Sequence, residues 1–218
     1  YHQPLGVNSE QAAVAIRNRF SKGRPFFVFV GTQHPRKNLK GLLAAFEAYR
    51  NQGGDWSLLL VGTPLWRRRG FDATSALKGV PPAIAAHVHQ TGWLPQSDLA
   101  AVLAASGAMV FIPWFEGFGI PLLEAFSAGT PAIHSNRTSL PEVAQGAGLE
   151  VDPGDPDSVA EAMLRMEREP ALRAHLIEKG RDRADDFSWD RTARLLWGCL
   201  SKAAEQSGLD WKEPKERP

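Results

Sequence analysis

Hydrophobic positions along the chain alternate between two patterns. Short apolar runs recur at PFFVFVG (25–31), WSLLLVG (56–62), AMVFIP (108–113), TPAIHS (130–135) and GLEVDP (148–153), with a weaker one at HVHQTG (87–92), and these read as strands. Between them lie helical segments. NLKGLLAAFEAYR (38–50) sets Leu39, Leu42, Leu43, Phe46 and Tyr49 at helical spacing. A looser helix is predicted over 73–86, and another over 95–107 with Ser97 or Asp98 near its cap. GIPLLEAFSAG (119–129) carries Pro121 in its first turn and Gly129 past its end. Short and long helices follow near SLPEVAQG (139–146), over DPDSVAEAMLRMERE (155–169) and over 188–206, the last with Leu195, Leu196, Trp197, Cys199 and Leu200 in need of a covering surface.

Strand and helix in alternation, with short connections, predict an α/β domain. It is a doubly wound, Rossmann-like parallel sheet of about six strands with helices on both faces. The strand runs are mostly apolar throughout, as burial on both faces requires. In such a sheet a ligand is expected beyond the carboxyl ends of the strands.

Composition adds mainly exclusions. The chain has 218 residues, 43% hydrophobic and 22% charged, with net charge +1, enough for a sizeable core and no reason to expect a nucleic-acid partner. One cysteine, Cys199, cannot form an internal disulfide framework or a cysteine metal cluster. The apolar stretch 99–115 is interrupted by Ser106, Gly107 and Pro113 and falls short of the ~20 residues of a membrane helix. The beginning, YHQPLGVNSEQ, lacks both a signal-peptide pattern and an initiator Met, so the chain is expected to be a piece of something longer.

Three strand-end loops carry polar chemistry. In GTQHPRKN (31–38), Gly31 lets a ligand approach the backbone, Thr32 offers a hydroxyl, Arg36 and Lys37 add two cations, and Asn38 is suited to cap the next helix. Cations beside a helix start suit a phosphate; alone, the loop reads more readily as a basic surface turn with an Asn cap. In EGFGIPLLE (116–124), Glu116 and Glu124 frame a glycine turn. Amides near Phe118, Gly119 and Ile120 precede the first helical hydrogen bonds and favour an anion. Glu116 can accept from sugar hydroxyls and Glu124 from a ribose, although a carboxylate in a helix's first turns is also explained by the dipole. In SNRTSLPE (135–142), Arg137 reaches either the site or solvent.

GTQHPRKN, TGWLPQSDLAAVLAAS, FEGFGIPLLEAFSAGTPAI, TSLPEVAQGAGLEVDP and FSW follow one another in an order that resembles the nucleotide-binding domain of group 1, family 4 retaining glycosyltransferases, over about 25–190. The resemblance implies one lobe of a two-lobed GT-B enzyme. Its paired-glutamate motif falls on Glu116, which would touch the donor sugar, and Glu124, which would hold the ribose. Phe118, Gly119 and Ile120 would meet sugar and phosphate through the backbone. The family's phosphate lysine falls on Lys37, and Leu94 of TGWLP would lie near the base. The family's arginine after the first-loop glycine is replaced by Thr32, and either Arg36 supplies the missing charge or the diphosphate is held less tightly.

By the same resemblance, residues 1–24 are a segment from an absent N-terminal acceptor lobe and 25–187 form the nucleotide-sugar domain. Residues 188–207 are a crossover helix, and 208–218 fray. The implied donor is an NDP-sugar, with GDP-mannose suggested by the form of the first loop, and no metal or other cofactor is implied. The acceptor would be a glycan or lipid-linked glycan in polysaccharide synthesis. The setting would be cytoplasmic, with peripheral membrane contact as an option, and WRRRGF (66–71) is either a solvated loop or a lipid-facing one. Alone, the chain is expected to bind donor and transfer little or nothing. Two other readings stand beside this one: a stand-alone nucleotide-binding or interaction module, and a sugar-nucleotide epimerase. His87 and His89 share a strand face but lack a third metal ligand. The absence of a G-x-G-x-x-G turn argues against NAD.

Overall fold

The computed structural model describes residues 10–63 and 77–207. WRRRGF (66–71), the start of the helix expected over 73–86, and the tail 208–218 lie outside the described residues.

Six strands form one parallel sheet: β1 (Phe26–Val30), β2 (Ser57–Val61), β3 (Val88–Gly92), β4 (Ala108–Phe111), β5 (Ala132–Ser135) and β6 (Leu149–Val151). Their order is β3-β2-β1-β4-β5-β6, so the doubly wound, Rossmann-like expectation holds. β1 is the hinge of the topology. It pairs Phe27 with Leu58 of β2 on one side and with Ala108 of β4 on the other. The order reverses between β1 and β4, and a ligand of such a sheet is expected beyond the carboxyl ends of the strands there.

Helices cover both faces. In chain order they are α1 (Glu10–Ser21), α2 (Leu39–Asn51), α3 (Pro82–Ala85), α4 (Gln96–Ala105), α5 (Ile120–Ser127), α6 (Leu140–Ala144), α7 (Pro156–Arg168), α8 (Pro170–Asp185) and α9 (Trp189–Gln206). α2 packs on α7, and the core between them and the sheet joins Phe27, Phe29, Leu58, Leu60 and Val110 to Leu42, Phe46, Val159 and Met163. α1 packs against α4, β2 and β3. Alternate strand residues therefore point into two cores.

Local chemistry fixes the helix starts. Asn38 sits in the left-handed region (φ 57°) and its side chain accepts from Gly41 N–H (3.3 Å), while its amide nitrogen donates to Pro153 O (2.8 Å). Asp155 caps α7 and Ser188 caps α9. α4 starts instead after Pro95 with no side-chain cap, and Ser97 and Asp98 lie within its first turn.

Three expectations change. Residues 10–21, expected as connecting segment, are helical and belong to the α/β unit. Their signal is weak because α1 leaves Ala12, Ala13, Ile16 and Phe20 only half-buried among polar and charged residues, without a broad apolar stripe. α8 was not predicted: its buried residues, Leu176, Gly180 and Ala184, form a stripe too narrow and too poor in large side chains to show in a charged segment. The looser helix is interrupted, with regular helix resuming only at Pro82 after Pro81, because a residue before proline is pushed out of the helical region. The described residues make two compact units, one closing at Ala184 and one starting at Asp185. On α9, Trp189, Leu195, Leu196 and Leu200 are exposed. No described helix is long and apolar enough to cross a membrane.

Candidate functional site

The loops after β1 and β4 meet at the switch point. Trp114 N–H donates to Arg36 O (2.8 Å), and Arg36 Nη1 donates to Phe115 O (3.0 Å). Arg36 Nη1 also reaches Glu116 Oε2 (3.1 Å), and Lys37 Nζ lies 2.5 Å from the same oxygen. Lys37, Arg36 and Glu116 thus form one cluster, although about eighty residues separate the two cations from the acid in sequence. Lys37 is held deeply: its side chain is 6% exposed and its ammonium sits 4.6 Å from the centre of the Phe111 ring.

A 3-10 turn, Pro35–Lys37, aims the two cations. His34 Nδ1 accepts from Arg36 N–H (3.2 Å) and so caps the turn. Gly31 N–H donates to Val61 O (3.0 Å), and Thr32, half-buried, offers its carbonyl to His34 N–H (2.8 Å). A Cβ at Gly62 would lie 2.1 Å from Gly31 O, so the loops after β1 and β2 approach as closely as glycine permits.

The glycine turn is fixed from its other side. Thr138 Oγ1 accepts from Glu116 N–H (3.2 Å) and donates to Glu116 O (3.0 Å). Ser139 Oγ is 2.9 Å from both Glu116 O and Phe118 O. Gly119 has φ 111°, and a Cβ there would lie 2.7 Å from Leu140 Cδ2. Ile120 opens α5, whose hydrogen bonding begins with Leu122 N–H donating to Gly119 O (2.9 Å). Amides before that bond belong to a helix N-terminus, where an anion is favoured. At Gly117 a Cβ would meet nothing within 4 Å.

Glu124 lies a turn into α5 and its carboxylate hydrogen-bonds the Gln96 side chain at the start of α4. Gln96 follows the short loop that bears exposed Trp93 and half-buried Leu94. The two acids are tuned oppositely. Burial raises the Glu116 pKa, but bonds and charges from Lys37 and Arg36 outweigh it, so the net shift is downward. Burial raises Glu124, and Gln96 offsets only part of this. Burial lowers the Lys37 ammonium, with Glu116 opposing. Glu116 is therefore a fixed anion between cations, and Glu124 is a carboxyl that keeps its proton more readily.

Of the expected site residues, Gly31, Thr32, Arg36 and Lys37 lie after β1, Leu94 lies after β3, Glu116, Phe118 and Gly119 lie after β4, and Ile120 and Glu124 lie in α5. It directly links Arg36 and Lys37 to Glu116, and joins the Leu94 loop to Glu124 only through Gln96. Arg137, whose side chain is about half exposed, binds both Asp152 oxygens (3.1 and 3.2 Å). His87 accepts from Arg50 at 3.2 Å. Thr138, Ser139 and Gln96 escaped sequence reading, since a hydroxyl or amide that braces a distant turn leaves no local pattern.

Residues 12–183 match the family model described as glycosyl transferases group 1. An O-antigen chain mannosyltransferase B of Escherichia coli is 32% identical over 182 residues, covering 76% of this chain and 42% of that protein. Sucrose-phosphate synthase of Thermosynechococcus elongatus superposes with TM-score 0.73 at 27% identity, covering 90% of this chain and 49% of the synthase chain. Anabaena HepE in complex with UDP-glucose superposes with TM-score 0.77 at 16% identity, over 89% of this chain and 54% of that one, a likeness of fold. The chain therefore spans about half the length of these relatives or less. It belongs to the group 1 glycosyltransferases, and its sheet is that of one GT-B lobe.

Proposed function

We propose that this glycosyltransferase chain is the donor-binding lobe of a retaining enzyme that transfers a hexose, mannose from GDP-mannose, to a glycan or lipid-linked acceptor in polysaccharide synthesis. One observation carries the reading: Lys37 and Arg36 converge on Glu116 at the switch point, beside the N-terminus of α5. A diphosphate there meets two cations and the helix dipole, and Glu116 remains an acceptor for sugar hydroxyls. Glu124 holds the ribose and Leu94 lines the base.

The chemistry follows from charge. As the glycosidic bond to the leaving diphosphate breaks, negative charge grows on the phosphate oxygens. Lys37, Arg36 and the turn amides are already oriented toward it, so they stabilise the transition state more than the ground state. Arg36 supplies the charge that Thr32 does not. Two cations provide the counter-charge, and the proposal assigns no metal. The mannose preference draws on the E. coli relative's name and on the form of GTQHPRKN.

Calorimetric titration with GDP, UDP, ADP and dTDP, repeated on Lys37→Ala and Glu124→Ala, tests this. One nucleotide, expected to be GDP, binds, and each substitution weakens it by about tenfold or more, the value of one charge-assisted contact. No binding by any nucleotide would overturn the donor-lobe reading, and selective binding of UDP would overturn the mannose assignment.

A further inference from the structure

Two large aromatic side chains stand in solvent immediately before Glu116. Trp114 is 47% exposed and Phe115 59% exposed. Their backbone is not loose: Trp114 N–H and Phe115 O are both bonded to Arg36, and Thr138 and Ser139 hold the next residue. Rings kept exposed on pinned backbone are preorganised for a ligand. The Trp114 ring lies across Gly154, where a Cβ would be 3.4 Å from the ring and 3.3 Å from Asp152 Oδ1. Asp152 is paired in turn with Arg137. The Trp114 ring and the Asp152 carboxylate therefore both border Gly154, with Arg137 bound to that carboxylate.

We propose that Trp114, Phe115, Asp152 and Arg137 form a pyranoside subsite on this lobe, adjoining Glu116, that receives a sugar ring of the acceptor glycan. A pyranose has an apolar C–H face and hydroxyls around its rim. The C–H face stacks on an aromatic ring, while equatorial hydroxyls donate to a carboxylate and accept from a guanidinium. An aliphatic chain would use only the rings and an anionic headgroup only the arginine, whereas a pyranose engages both an aromatic face and polar groups at its rim. This inference rests on the proposed function, because an acceptor subsite has a purpose only beside a donor site. It adds that acceptor recognition is shared by this lobe.

The test uses the full 218-residue chain labelled with 5-fluorotryptophan. The Trp114 resonance is assigned with Trp114→Phe. The chain is titrated with methyl α-D-mannopyranoside, α-linked mannobiose and the corresponding rhamnosides and glucosides. A saturable shift of the Trp114 signal is expected with at least one of them. Phe115→Ala and Arg137→Ala should each weaken the binding about tenfold, as loss of one stacked ring or charged hydrogen bond does. Trp114→Ala, followed by saturation-transfer NMR on the sugar, should do the same. If that variant loses its thermal transition, the other two carry the result. Nucleotide affinity of Phe115→Ala should stay within about twofold of the parent, the range of a neutral surface change. No saturable shift with any pyranoside, or a shift indifferent to both Phe115→Ala and Arg137→Ala, would overturn the subsite. So would a Trp114 response to phosphatidylglycerol vesicles alone. Because nucleotide titration is separate, failure of the subsite with nucleotide binding intact leaves the donor reading standing.

Discussion

Lys37 Nζ lies 2.5 Å from Glu116 Oε2, and the two side chains are 6% and 14% exposed. This pair ties the loop after β1 to the loop after β4 and sets the charge at the mouth of the sheet. Removing one partner leaves the other buried, with Arg36 as the only compensation for Glu116. Lys37→Met is expected to lower stability by about 1–3 kcal/mol, below the usual cost of breaking a buried pair because Arg36 remains. Lys37→Met/Glu116→Gln should recover part of that loss, as urea denaturation of both variants would show.

pH dependence separates the two glutamates. Glu116 has a depressed folded pKa, so its contribution to stability is present above its unfolded value and is lost as pH falls through the folded one. Glu124 has a raised folded pKa, so ionising it near and above its unfolded value disfavours the folded state, and this penalty is fully developed above its folded pKa. Glu116→Gln should flatten the acid side of the stability curve. Glu124→Gln should be as stable as the parent or more so at neutral pH while binding nucleotide less tightly. Thermal melts across pH 3–8 distinguish the two.

The two glycines of the turn should respond differently. Gly119→Ala puts a side chain at φ 111° and 2.7 Å from Leu140 Cδ2, and a loss of roughly 1–3 kcal/mol is expected. Gly117→Ala meets no neighbour, so its stability should stay within about 0.5 kcal/mol of the parent. If the diphosphate sugar lies along the turn, Gly117→Ala nevertheless weakens donor binding. Calorimetry on a normally folded Gly117→Ala chain checks the claim.

Thr138 holds both the N–H and the carbonyl of Glu116 through one hydroxyl. Thr138→Val keeps the shape and removes both bonds. Amide hydrogen exchange over 116–119 should then quicken about tenfold or more, as expected for losing roughly 1–2 kcal/mol of local protection. Thr138→Ser should restore the parent rate. Equal exchange in Thr138→Val would show that the turn is held by Ser139 alone.

The alternation of apolar runs made the sheet legible, because strands buried on both faces must be almost wholly apolar, as FFVFV is and as SLLLV is apart from Ser57. EGFGIPLLE was legible for a similar reason: a tight turn entering a helix needs Gly119 and tolerates Pro121 at the start, and both constraints are local. α1 and α8 were not legible. Each buries small residues or a narrow stripe, and their helical state depends on neighbours that a local pattern does not contain.

The sequence by itself determined the order of strands and helices, the glycine turn, the two cations and the two acids, since backbone preference, burial and residue charge act over a few neighbouring residues. Only the tertiary structure decided that Lys37 and Arg36 share Glu116, that Arg137 turns to Asp152, that Gln96 meets Glu124, and that Thr138 and Ser139 brace the turn. Those contacts join residues from about fifteen to eighty positions apart. They arise because the order of the sheet reverses between β1 and β4 and brings the carboxyl-end loops together, an arrangement that chain-local spacing does not encode.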